Sequence, residues 1–462
     1  MANIKFGTDG WRAIVGKDFT EENVKKAGTA IAKYHLDNFG AEKPVIIGYD
    51  PRNLGDYFAK LTGELLASLG LDVTISDKIV PTPVLAYAAK YYGANAIMFT
   101  ASHNPPEYLG MKFIPDYAGP ATDEITKEIV SNIDKEFNYN LSKKELKTKS
   151  FEGIYIEHIE TLIDFEKIKE AKMFINYDGL HGANSSLFTR LLDYLEIEYK
   201  AINLERDVNF GGKMPDPKEK YLPELKKLCI ELSRVGLSND GDGDRFGCFN
   251  EEGTFVSANE IIAMLLKHLK ENKHFSGSLV KTVGASSMLD IYAKKLGINV
   301  IETAVGFKWV GQAMRENDVI IGGEESGGLS IKGHIPEKDG IIANLLIIEA
   351  MAYSGKTLTE LQKELCTAVN CSFINERIDL ELDSQDEQDV IIDKFKEVDI
   401  IASQKIIKRN TIDGLKLYLA DEMSWVLIRK SGTEPLLRIY IETDTSEKMT
   451  NLKENIKKIS KS

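Results

Sequence analysis

Ser102 and His103 stand side by side in TASHNPPEYLGMK, residues 100–112, directly after a short apolar run and just before Pro105 and Pro106. A serine can act as a nucleophile when something activates it. Adjacent side chains on an extended segment point to opposite faces, so His103 is not expected to serve Ser102 as its base. A second cluster, NDGDGDRFG, sets Asp240, Asp242 and Asp244 at alternate positions separated by glycines. In an extended loop those carboxylates fall on one side. Three hard oxygen donors suit a divalent cation such as Mg²⁺, with a phosphate oxygen or water completing its shell. Together with Glu251 the same aspartates match ligand positions of an EF-hand loop. Arg245 stands where that loop needs glycine, and the flanks read as strands, which argues against calcium sensing.

Two further clusters offer recognition rather than chemistry. RKSGTEPLLR supplies Arg429, Ser431, Gly432, Thr433 and Arg438 between two strand candidates. Guanidinium groups, hydroxyls and amides around a glycine are the donors a phosphate dianion needs, at roughly 1.5–3 kcal/mol per charge-assisted contact. GGEESGG, around Glu324 and Ser326, pairs acceptors with donors on a flexible loop and suits sugar hydroxyls. YSGKT, 353–357, imitates the end of a P-loop, but Ala350 occupies the place of the motif's first glycine, so a helix-ending turn is expected instead.

These clusters need a scaffold. PVIIGYD, the helical pattern YFAKLTGELLASLG, LDVTISD, PVLAYAAKYYG and AIMFTASH alternate strand with helix, the rhythm of an α/β layered domain. The rhythm restarts at MFINYDGLHGANSS and again past Gly253, then gives way to strands and a closing lysine-rich helix. The expected division is 1–145, 153–250, 254–366 and 372–462. Polar clusters follow AIMFT, VGLSN and VIIG directly, where open α/β sheets place ligands beyond the carboxyl ends of their strands, so they are expected to line one cleft.

Composition narrows the partners. A chain of 462 residues exceeds one core, and 43% hydrophobic with 28% charged residues is ordinary for a globular protein. The excess of 71 acidic over 58 basic side chains, a net charge of -13, disfavours nucleic acid and anionic membranes. An anionic substrate must then find a local basic pocket. The apolar run IIANLLIIEAMAY is interrupted by Asn344 and Glu349 and is too short to span a bilayer, and MANIKFGTDG lacks a signal-peptide core, so a cytoplasmic location is expected. The four cysteines form no CxxC pair, which indicates neither zinc nor disulfides.

In order, FGTDGWRAIVG, TASHNPPEYLGMK, DGDGDR, VGFK, GGEESGG and RKSGTEPLLR resemble the motifs of the α-D-phosphohexomutase family, the phosphoglucomutases and phosphomannomutases, over essentially the whole chain. The resemblance implies a heart-shaped molecule of four domains: three similar α/β domains with mixed sheets and a C-terminal α+β domain like the TATA-binding protein. It implies that Ser102 is a phosphoserine, and that Asp240, Asp242 and Asp244 hold one Mg²⁺ per chain with an oxygen of that group. Arg12 and Lys112 match basic positions that assist proton transfer, with His103 a third candidate. Lys308 matches a substrate-contacting position, Glu324 and Ser326 would hold O3 and O4 of the sugar, and the RKSGTEPLLR loop would hold the phosphate that is not reacting; Arg245, by its place next to the aspartates, can contact the transferring group or the substrate.

The activity so implied is reversible phosphoryl transfer between C1 and C6 of a hexose phosphate through a 1,6-bisphosphate. Glucose 1-phosphate to glucose 6-phosphate is the first expectation, with mannose and glucosamine phosphates as alternatives and glucose 1,6-bisphosphate as intermediate and activator. GGEESGG and Gly243 favour glucose over glucosamine. A monomer or homodimer with no nucleic-acid or membrane partner is expected. The charge logic holds without the family: a phosphoserine of about -1.5 to -2 beside three carboxylates would repel itself unless a divalent cation bridged them. The competing classes are a metal-dependent sugar-phosphate phosphatase and a non-catalytic binding protein. A clamp for a distal phosphate argues against hydrolysis, since a hydrolase need not bind its product twice.

Overall fold

The computed structural model describes residues 4–7, 10–369, 372–430 and 435–461. The chain forms two compact units, Met1–Ala258 with Ser326–Glu360, and Asn259–Glu325 with Leu361–Ser462. The segment read as the third α/β domain is thus shared between them.

In the first unit, Val45–Tyr49 pairs parallel with Val73–Ser76 and with Asn95–Phe99. Tyr108–Ile114 returns antiparallel to Asn95–Phe99, and Trp11–Ile14 lies antiparallel on its far side. The flanking helices carry their own punctuation. Thr20 accepts from the Asn23 amide to open Glu21–Phe39, and Gly93, left-handed at φ +59°, closes Thr82–Tyr92. Phe19 sits fully buried at the centre of this core, stacked on Trp11 and edge-on to Phe58 and Phe99. A second sheet sets Phe174–Asp178 parallel to Glu198–Ile202 and Gly236–Asn239, with Phe246–Phe249 antiparallel beside the last. The serine cluster follows Asn95–Phe99, and the aspartate cluster is the connection from Gly236–Asn239 to Phe246–Phe249. Both therefore lie at the carboxyl ends of strands.

Helix Gly340–Ser354 belongs to the same unit and is buried from Gly340 to Met351. Its dense apolar sequence is explained by burial on all sides. Gly355 ends it in the left-handed region at φ +64°, so YSGKT is a helix terminus, as expected. Glu251 accepts from the amides of Leu358 and Thr359 and so caps the next helix, Leu358–Val369, rather than closing a calcium loop. Among the described residues no single helix is long and apolar enough to cross a membrane.

In the second unit, Ser278–Thr282 pairs parallel with Val300–Thr303 and Val319–Gly323. The C-terminal part is an antiparallel sheet in the order Ile374–Glu381, Leu436–Thr443, Trp425–Lys430, Leu415–Leu419, Gln404–Asn410, Ile400–Ile401. Helices Glu387–Glu397 and Ser446–Lys461 cover it through Ile391, Phe395, Leu452 and Ile456.

One buried arginine shapes the serine loop. Arg52 donates to the carbonyls of Ser102 and Asn104 at 2.6 Å, Pro105 at 2.8 Å and Tyr108 at 3.0 Å. Its counter-charge is Asp50, 3.4 Å away, and both side chains are fully buried. Burial pushes the Asp50 carboxyl up to about 7 against the pull of Arg52. Replacing Arg52 by methionine strands four carbonyls and a carboxylate, so the first unit should lose about 3–5 kcal/mol. Urea unfolding reads this; a loss under about 1 kcal/mol, the range of one net hydrogen bond, would show that the loop holds itself.

Candidate active site

Ser102 adopts φ +50°, a left-handed conformation costly for a residue with a Cβ. Its amide donates to Thr100 Oγ1, whose hydroxyl donates to Asp50, and its carbonyl is held by Arg52. The segment is a turn rather than a strand, which corrects one expectation: Ser102 Oγ lies 3.3 Å from His103 Nδ1, because the positive φ swings the two side chains together. The shorter contact is elsewhere. Ser102 Oγ donates to Asp240 Oδ2 at 2.7 Å.

Asp240, Asp242 and Asp244 are buried, and one oxygen from each lies within 4.8 Å of the others. They converge through a tight turn rather than an extended loop. Gly243 takes φ +78°, and a Cβ on it would stand 2.3 Å from Asn184 Oδ1. Thr82, at the start of its helix, donates through its amide to the Asp242 carbonyl and through its hydroxyl to Asp242 Oδ2. The other oxygen, Asp242 Oδ1, is buried without a hydrogen bond among the described residues. Burial, then the neighbouring Asp242 and Asp244, drives the Asp240 carboxyl far above the usual range. An all-oxygen donor set, mutual repulsion and an orphaned carboxylate oxygen fit a hard divalent cation.

Cations surround this acidic turn. Lys338 lies 2.9 Å from Asp244, and the buried Lys112 lies 2.9 Å from Glu337. Arg12 donates to Asn104 at 2.6 Å, and the Arg245 amide donates to Asp240 Oδ1 at 3.0 Å. Burial, then Arg245, Arg12, Lys218 and Lys338, push the His103 imidazole down to about 2. It is therefore neutral near pH 7. Glu337 and Lys338 come from a short segment, 334–340, clamped at both ends: His334 bonds Asp339 at 2.9 Å, Tyr155 donates to Asp339 at 2.7 Å, and the Gly340 amide donates to the Gly243 carbonyl. Ser326 lies at the chain's return into this unit, one residue before Gly327, whose carbonyl accepts from the Phe246 amide.

The second unit carries the recognition candidates. Glu324 is buried and accepts from the Gly306 amide at 3.1 Å, at the start of helix Phe307–Glu316, whose second residue is Lys308. Arg429 and Arg438 face each other in register on neighbouring strands. Like charges directly opposite are destabilising unless carboxylates offset them. Arg429 also meets Asp413 at 2.8 Å, and its Nε is buried without a hydrogen bond among the described residues. Ser431, Gly432 and Thr433 lie outside the described residues.

Comparison with known proteins settles the family. Four models match in order: phosphoglucomutase/phosphomannomutase alpha/beta/alpha domain I at residues 3–140, domain II at 154–253, domain III at 257–369, and the C-terminal domain at 385–459. The chain belongs to the phosphoglucomutase/phosphomannomutase family. A phosphoglucomutase/phosphomannomutase of Thermococcus kodakarensis is 33% identical over 451 residues, covering 96% of this chain and 95% of that one. A phosphoglucosamine mutase of Clostridium kluyveri is 30% identical, covering 98% and 97%. A crystal structure from Thermus thermophilus, provisionally named a phosphomannomutase, is 30% identical with a TM-score of 0.87 over 100% of both chains. Members are isomerases that transfer a phosphoryl group within one molecule, with three α/β domains and a C-terminal α+β domain.

For this family member, sequence reasoning missed Arg52, Thr82, Asn184, Glu337 and Lys338. Each acts by donating to, pairing with or packing against another site residue far away in sequence, so no local spacing marks it. EKDG, which carries Glu337 and Lys338, reads as an ordinary charged turn. Gly243 also loses its value as a pointer to the sugar, because its φ and Asn184 already demand glycine.

A cation that enters the carboxylate turn stabilises the folded chain by mass action, about 2.7 kcal/mol at a hundred times its dissociation constant. Thermal melting in excess Mg²⁺ or Mn²⁺ against chelator should therefore show a clear rise in Tm, and Asp242→Asn should remove most of it. An equal rise in both proteins would place the cation elsewhere.

Proposed function

We propose that the protein interconverts glucose 1-phosphate and glucose 6-phosphate through a phosphoryl group carried on Ser102. The observation that carries this reading is the 2.7 Å bond from Ser102 Oγ to Asp240 within a group of three buried carboxylates. Mg²⁺ held by Asp240, Asp242 and Asp244 would neutralise the phosphoryl group and draw electron density from the oxygen that leaves. The rest is done by the chain. The strained Ser102 backbone presents Oγ at the tip of a loop that Arg52 holds rigid. In the first half-reaction the free hydroxyl of the sugar attacks phosphorus, the bond to Ser102 Oγ breaks, and the hydroxyl proton passes to a nearby base. In the second, Ser102 Oγ attacks the other phosphate of the bisphosphate, and the oxygen it displaces takes a proton.

Arg12, Lys112 and His103 are the proton-handling candidates, and Lys338 joins them. Burial, and then the repulsion of four cations, make His103 a poor base. A phosphoryl dianion offsets that repulsion, so the imidazole gains basicity when the group to be transferred is present. Arg245 contacts that group, Lys308, Glu324 and Ser326 contact the sugar, and Arg429 and Arg438 with the Ser431–Thr433 loop hold the phosphate that is not reacting. A glucosamine phosphate is the second reading, favoured by the name of the Clostridium kluyveri relative.

Incubation with glucose 1,6-bisphosphate should add one phosphoryl group to the intact mass of the wild type and none to Ser102→Ala. A label that persists in the variant removes Ser102 from the mechanism. The same preparation assayed on glucose, mannose and glucosamine 1-phosphates should give the highest kcat/KM with glucose; a higher value with glucosamine moves the reading to the second sugar.

A further inference from the structure

The Asp413 carboxylate does two things at once. Its Oδ2 accepts from Arg429 at 2.8 Å and from the Val305 amide at 2.9 Å. The next amide, Gly306, donates to Glu324 Oε1 at 3.1 Å. Two successive amides of one tight loop thus fasten two carboxylates, one holding the arginine proposed for the distal phosphate and the other proposed for the sugar hydroxyls. Gly306 takes φ +117°, a conformation that L side chains rarely adopt, which turns consecutive amides toward different partners.

Neighbouring contacts fix the turn that bears Asp413. Gly414 takes φ +84° and lies so close to the Trp425–Lys430 strand that a Cβ would stand 2.2 Å from the Ile428 carbonyl and 3.1 Å from Arg429 Cγ. On one side of the turn Asn410 donates to Glu302, and on the other Lys416 and Tyr418 bind the same carboxylate. Glu302 lies on Val300–Thr303, the strand that leads into the Val305 loop. The hairpin is therefore pinned to the sugar loop at Glu302 and Val305.

We propose that Asp413 is a positioning residue that holds Arg429 in fixed register with Glu324, so that the phosphate and sugar ends of the substrate are gripped as one preset unit. This rests on the reading of Arg429 as a ligand of the distal phosphate. A carboxylate beside a phosphate-binding arginine has two opposed effects. Its charge repels the phosphate, and its hydrogen bonds aim the guanidinium. The sign of a mutation separates them.

Steady-state kinetics with glucose 1-phosphate and glucose 6-phosphate test it in wild type, Asp413→Ala, Asp413→Asn, Arg429→Ala and the Asp413→Ala/Arg429→Ala double variant. Arg429→Ala should raise KM for both substrates by roughly ten- to hundredfold. Asp413→Ala should raise both by roughly three- to tenfold with little change in kcat, although it removes a repulsive charge. Asp413→Asn keeps an oxygen for Val305 and should fall between wild type and Asp413→Ala, and the double variant should be no worse than Arg429→Ala. A general loss of folding would lower kcat and leave KM in place, which overturns the proposal, as does a KM that falls or stays level in both Asp413 variants while Arg429→Ala raises it. If Arg429→Ala leaves KM unchanged, the distal-phosphate reading itself fails.

Discussion

Burying three carboxylates around one serine hydroxyl is the constraint that organises the first unit. Each buried charge costs several kcal/mol unless it is compensated. Asp240 takes the Ser102 hydroxyl and the Arg245 amide, Asp242 takes the Thr82 hydroxyl, and Asp244 takes Lys338. These compensations are incomplete, and Asp242 Oδ1 has no hydrogen bond among the described residues. Three buried carboxylates left partly uncompensated fit a hard divalent cation.

The same constraint explains the positive charge nearby. In a chain with a net charge of -13, Arg12, Lys112, Arg245 and Lys338 all belong to the site or to the short segments that form it. They balance the carboxylates, and after burial itself Arg245, Arg12, Lys218 and Lys338 push the His103 imidazole down. Glu337 fixes the buried Lys112, so the balance is also a matter of aim. In the second unit two arginines, Arg429 and Arg438, face each other in register, and Asp413 pairs with one of them.

The residues with chemistry in their side chains were legible in the sequence. Ser102 announced itself by its place between an apolar run and two prolines, and the aspartates by alternate spacing. Even there the route differed from the expectation, since both segments are turns, and left-handed backbone at Ser102 and Gly243 produces the convergence. Arg52 was invisible because its partners are carbonyls, which every residue has. Thr82 and Lys338 were hidden by distance along the chain. Asp413 sits in a hairpin turn, where an aspartate before glycine ordinarily reads as turn chemistry. Spacing reveals clusters of reactive side chains, whereas groups that act on other groups need coordinates.

In the proposed cycle the phosphoryl group on Ser102 leaves in the product while the enzyme takes its replacement from the substrate. Phosphoenzyme labelled with ³²P at Ser102, mixed with excess unlabelled glucose 1-phosphate and quenched after one turnover, tests this directly. The label should appear in glucose 6-phosphate, with brief passage through the 1,6-bisphosphate, while Ser102 is left phosphorylated and unlabelled. Label released as inorganic phosphate, or label that stays on Ser102 while glucose 6-phosphate forms, would contradict it.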